Sequence, residues 1–115
     1  MSFQSSINYR DLSLFGVPLT TSGAVSKSML YAASASNYGA VICLLPHDHS
    51  KRVTDAAEIL DSQQVDYVHL LVDWLAPTQV DVDQFTQALD RLMTQGLKVH
   101  VHCDLNMRVS AFCAI

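Results

Sequence analysis

The residues best suited to chemistry stand near the end of this 115-residue chain: Val99-His100-Val101-His102-Cys103-Asp104-Leu105-Asn106-Met107-Arg108-Val109-Ser110. An apolar run leads into a His-Cys pair. A short segment follows, then an arginine, then a hydroxyl at what reads as the start of a helix. A loop between a strand end and a helix N-terminus collects unpaired backbone N–H groups that point at an anion. The same helix end favours the ionised form of Cys103, because thiol pKa values in such places fall from about 8.5 to roughly 3.5–7.5. Arg108 offers a planar fork for two phosphoryl oxygens. Cys103, Asp104, Leu105, Asn106, Met107, Arg108 and Val109 therefore read as a phosphate-binding loop with a nucleophile in it.

This string resembles the signature of the cysteine-dependent protein tyrosine and dual-specificity phosphatases: His-Cys, five residues, Arg, then Ser or Thr. It is more similar still to the loop of a small bacterial group of phosphatase-like proteins, His-Cys-x-x-Asn-Met-Arg-x-Ser-Ala-Phe, matched here from His102 to Phe112. Supporting likeness runs through Thr21-Ser22-Gly23, Val41-Ile42-Cys43-Leu44-Leu45-Pro46, and Val72-Asp73-Trp74 with Pro77-Thr78. The resemblance thus covers nearly the whole chain. It implies phosphate monoester hydrolysis through a cysteinyl-phosphate, on phosphotyrosine, phosphoserine or small aryl phosphates, with no metal and no cofactor. Cys103 would attack phosphorus, and Arg108 with the loop N–H groups would stabilise the equatorial oxygens. Ser110 would hydrogen-bond the leaving sulfur, and His102 would orient the loop through backbone contacts. The family's general acid is an aspartate on the loop after the preceding strand, where Asp73 stands; a turn cap is the competing reading for Asp73. Asp81 and Asp83 are rivals that read as first-turn acids of the next helix.

One departure bears on activity. Four residues separate Cys103 from Arg108, where the wider signature has five, yet Ser110 sits seven after Cys103, at the usual hydroxyl position. Val109 then occupies the usual arginine place, and one residue on a helix is a turn of about 100°. Asn106 stands where the family has glycine, and Asn tolerates positive φ better than other side chains. Either the arginine curls back to the phosphate, or the loop binds phosphate or sulfate without efficient turnover. The second alternative is an anion-binding module of the same fold.

The rest of the chain must position this loop. Half of it is hydrophobic, 16% is charged and the net charge is −4, a globular balance that gives no basic stripe for nucleic acid. No secretory leader pattern follows Met1 and no apolar run approaches about 18 residues. A cytoplasmic, soluble protein with no membrane or nucleic-acid partner is the expectation. Three cysteines fit a reducing compartment. Cys43 and Cys113 read as core residues, with a Cys43–Cys103 disulfide as a lesser alternative. The pairs His47-Asp48-His49 and His100-Val101-His102 each fall on one side of an extended chain, but no acid stands behind either at ligand spacing, so no metal site is expected.

The expected elements alternate. A hairpin spans residues 8–23, with alternation at Leu12/Leu14 and Val17/Leu19 around Gly16. Ser26 caps a helix to about Tyr38, ended by Gly39. A strand over Ala40–Leu45 stops at Pro46, and a polar loop from His47 to Arg52 leads to a helix through Ala56, Ile59 and Leu60. A strand over Tyr67–Val72 follows. Phe85, Ala88, Leu89, Leu92 and Met93 mark an amphipathic helix closed by Gly96, before a last strand over Leu97–His102. The expected fold is α/β: a cysteine-phosphatase-like three-layer domain over residues 1–115, with a mainly parallel central sheet and helices on both faces. Ala111-Phe112-Cys113-Ala114-Ile115 is an apolar helical run without a stop signal, shorter than the family's C-terminal region. A fragment or a naturally short form of the domain, self-associating through this apolar end, is the corresponding expectation.

Overall fold

The computed structural model describes residues 3–5, 9–12, 19–44, 53, 55–70 and 78–102. Ala40-Val41-Ile42-Cys43 forms an interior strand, β3 (Ala40–Cys43), buried at every position. An apolar run with no alternation needs cover on both faces, and a central strand supplies it. Two parallel neighbours pair with β3: β5 (Val99–His102) on one side and β4 (Asp66–His69) on the other. Strand β2 (Leu19–Ser22) lies parallel to β5, and β1 (Arg10–Asp11) closes the edge antiparallel to β2. The order is β1-β2-β5-β3-β4. The expected hairpin exists in this β1–β2 pair, with Leu19 of the alternating set opening β2 and β1 ending just before Leu12, and its turn lies outside the described residues.

Among the described residues three α-helices complete the layers: α1 (Lys27–Tyr31), α2 (Ala56–Asp61) and α3 (Gln79–Thr94). Met29 and Leu30 of α1 join Ala56, Ile59 and Leu60 of α2 over Val41, with Phe3 and Tyr38 in the same cluster. Phe85 and Leu92 of α3 pack on the opposite face against Leu19, Ala40, Ile42, Val99 and Val101. The sheet is therefore sandwiched, as its sequence periods imply.

Helix α3 has firm ends. Thr78 accepts from the Asp81 N–H at 3.3 Å while Asp81 accepts from the Thr78 N–H at 2.8 Å, a reciprocal cap. At the other end Leu97 N–H donates to Leu92 O and Gly96 N–H to Met93 O, with Gly96 at φ 78°. That pair of bonds is a Schellman closure, and a left-handed residue is what it requires.

The helix expected from Ser26 to Tyr38 is shorter. Ser26 does cap it, accepting from Met29 N–H at 3.4 Å, but α1 ends at Tyr31 and a 3₁₀ turn, Ser34–Ser36, follows. The cause lies in α2's turn. Gln63 Nε2 donates to the Leu30 carbonyl at 2.9 Å, and its Oε1 accepts from Ser34 N–H at 3.0 Å. These bonds satisfy groups that a continued helix would have paired, and the serine-rich run gives little propensity against them. Asn37 at φ 67° then turns the chain. Gly39 serves another purpose: a Cβ there would stand 2.6 Å from Leu97 Cδ2.

Candidate active site at the carboxyl edge of the sheet

Parallel strands deliver their last residues to one edge, where ligands of α/β proteins bind. Ser22, His102, Cys43 and His69 end β2, β5, β3 and β4 in mutual register. They form a row, and the next residue of β5 is Cys103. The expected loop from Cys103 to Val109, with Ser110, lies outside the described residues, as do Asp73, Trp74, Cys113, His47 and His49. The frame that launches the loop is described.

Strand alternation sends Val99 and Val101 to the α3 face and His100 and His102 to the other. Because α1 and α2 cover that face, both histidines are buried. Their rings stack at 6.3 Å between centroids. The expectation that the pair shares a side holds, but His100 has no nitrogen to spare for a metal. Its Nδ1 is 2.6 Å from Thr20 Oγ1, and its Nε2 is 2.8 Å from Ser22 Oγ.

The proton positions in this network follow from counting donors. Ser22 Oγ–H donates to the Gly23 carbonyl at 2.8 Å. A hydroxyl has one proton, so Ser22 must accept from His100 Nε2–H. Burial holds the His100 pKa well below its ordinary 6.5, with neighbouring His102 and Lys98 adding to the shift, so the ring is neutral and Nδ1 accepts. Thr20 Oγ1–H then donates to Nδ1, and Tyr38 O–H donates to Thr20 at 2.7 Å. The chain runs one way, Tyr38 to Thr20 to His100 to Ser22 to the Gly23 carbonyl. Phe3 stacks on the His100 ring at 4.0 Å and 6°. Every polar atom of the His100 ring is satisfied, which is what a buried polar network demands.

His102 is the contrast. It is buried, and neither ring nitrogen finds a partner among the described residues. Burial, with His69 nearby, pushes its pKa down to about 4. A neutral His102 lends no positive charge to Cys103 at neutral pH.

Cys43 is a core residue as expected, fully buried opposite His102 and His69. Asp81 is the first-turn acid expected, its carboxylate occupied by the Thr78 N–H, and Asp83 accepts from Gln79 Nε2 at 3.0 Å. Asp83, expected in the same first turn, stands one turn further along α3. No three His, Cys, Asp or Glu side chains gather in a metal-binding arrangement among the described residues. Sequence reasoning missed Thr20, Ser22 and Tyr38 as partners of His100. The signal was present in the shared two-residue period of Thr20/Ser22 and His100/His102, but nothing in the sequence paired β2 with β5.

This is the α/β fold of the cysteine phosphatases. A solved protein described as "Putative phosphatase (DUF442)" from Shewanella putrefaciens CN-32 is 28% identical, with a TM-score of 0.84 over 97% of this chain and 68% of that one. The core catalytic domain of the PP-IP phosphatase SIW14 from S. cerevisiae shares the fold at 11% identity and a TM-score of 0.64, over 87% of this chain and 57% of that domain. Tk-PTP in its active form does so at 20% identity and a TM-score of 0.61, over 76% of this chain and 57% of its own. No family model matches the chain, and no curated protein matches it in sequence.

Proposed function

We propose that this protein is a metal-independent phosphatase that hydrolyses phosphate monoesters through Cys103. One observation carries the reading. The strand that precedes the His102–Ser110 string is central in a parallel sheet and ends at the edge where such folds bind ligands, in a fold shared with phosphatases. In the first step Cys103 Sγ bonds to phosphorus as the phosphorus–oxygen bond of the ester breaks, and Asp73 gives its proton to the departing oxygen. Arg108 and the loop N–H groups carry the charge on the equatorial oxygens. In the second step water takes the phosphoryl group, its proton returns to Asp73, and Ser110 hydrogen-bonds the departing thiolate. Aryl phosphates and phosphotyrosine have the best leaving oxygens and are the preferred class.

The test is hydrolysis of para-nitrophenyl phosphate between about pH 5 and 8, in a chelator, by wild type, Cys103→Ser and Arg108→Ala. Turnover falls to background in Cys103→Ser and by about 10²–10³-fold in Arg108→Ala. The spacing of Arg108 favours one second reading, a phosphate- or sulfate-binding module. Tight inorganic phosphate binding by a folded wild type that turns nothing over would establish it instead.

A further inference from the structure

His100 belongs to no step above, yet it is buried, fully hydrogen-bonded and two residues upstream of His102. Its two nitrogens face different parts of the molecule. Nδ1 faces Thr20 and, through it, Tyr38, towards the amino half of the sheet. Nε2 faces Ser22, whose own proton is committed to the Gly23 carbonyl. Ser22 is level with His102, so the Ser22–Gly23 segment flanks the place where Cys103 leaves β5.

Resting on the reading of this edge as a phosphate site, we infer that His100 is a positioning residue: its Nε2–H fixes Ser22 and, through Ser22, the Gly23 carbonyl as the wall beside the base of the loop. The bond is directional. Ser22 Oγ–H donates to the Gly23 carbonyl while His100 Nε2–H fills its acceptor side, so the two bonds together hold the hydroxyl in one rotamer. Without the His100 donor the hydroxyl is left short of a bond in a buried setting, and it swings to find another. The wall then loses its orientation at the carboxyl end of β5, where His102 is level with Ser22. Errors of this size at a reacting centre cost turnover far more than binding.

The two nitrogens can be separated by substitution. Glutamine carries its amide nitrogen near the position of histidine Nε2, so His100→Gln keeps a donor for Ser22. Asparagine carries its amide near Nδ1, so His100→Asn keeps a partner for Thr20 and abandons Ser22. The experiment compares kcat, KM and melting temperature of wild type, His100→Gln, His100→Asn and Ser22→Ala with para-nitrophenyl phosphate. The expected result is kcat within about twofold of wild type in His100→Gln, and about tenfold lower in His100→Asn and Ser22→Ala, where KM also rises by about two- to threefold. A purely structural His100 gives equal kcat per folded molecule in the Gln and Asn variants, or kcat that follows melting temperature, and either overturns the inference. If His100→Asn does not fold, Ser22→Ala carries the comparison alone. A folded wild type without turnover contradicts the phosphatase reading rather than this one. The same proteins are then titrated with inorganic phosphate by calorimetry. Weaker binding in His100→Asn and Ser22→Ala than in His100→Gln supports the wall, while equal affinities, or no binding by any of them, contradict it.

Discussion

His102 precedes the candidate nucleophile, and burial keeps it neutral down to about pH 4. The proposed thiolate at Cys103 then depends on Arg108 and backbone N–H groups, which raises the demand on an arginine set one residue early. Asp73 completes the chemistry if it protonates the leaving oxygen. Replacing it with Asn is expected to lower kcat by about a hundredfold or more, with a smaller loss for aryl phosphates of low leaving-group pKa. An Asp73→Asn enzyme equally slowed on all leaving groups would deny the acid role. The residue scale is also where the sequence was hardest to read. His-x-His on a strand suggests ligands, and only the helices over that face turn the pair into core. The partners of His100 lie some eighty residues away on β2, and long-range pairing leaves no local trace. Cys43 was legible because a cysteine inside an unbroken apolar run has nowhere else to go.

At the scale of elements, local chemistry decides the ends. The Gly96 closure of α3 was read from the sequence and the amphipathic stripe gave its buried face, whereas the Thr78–Asp81 cap emerged only in the structure. Thr78→Ala removes the cap and is expected to cost about 1 kcal/mol in denaturant unfolding. The early end of α1 was not legible, because the group that stops it, Gln63, belongs to the turn after α2. Gln64 in that turn sits at φ 60°, an expensive conformation for a side chain with a Cβ. Its neighbours close the turn through Val65 N–H to Leu60 O at 2.9 Å. Gln64→Gly keeps those bonds and relieves the strain, so a gain of about 1 kcal/mol is expected. A loss of stability would show that the Gln64 side chain contributes more than its backbone costs.

Across the whole molecule, the two buried histidines couple folding to pH. Both have folded pKa values below the ordinary 6.5, through burial first and neighbouring positive charge second. The unfolded chain therefore binds protons that the folded one refuses. Stability is complete above about pH 7 and falls as pH drops through 6.5 towards 4. The slope approaches about 1.4 kcal/mol per pH unit for each histidine. Urea midpoints measured across this window should decline steeply, and less steeply in His100→Gln; a flat profile would mean that the histidines are not excluded from water. The layer order and the parallel sheet follow from the strand–helix alternation already visible in the chain. No helix among the described residues is long and apolar enough to cross a membrane.

The proposed transfer of the phosphoryl group to Cys103 can be observed by quenching wild type and Cys103→Ser during turnover of an aryl phosphate and locating the adduct by peptide mass spectrometry. Wild type is expected to carry a phosphoryl group on the Cys103 peptide, and the variant is expected to show neither adduct nor turnover. Sustained hydrolysis by Cys103→Ser, or wild-type turnover with no adduct at Cys103, would contradict it.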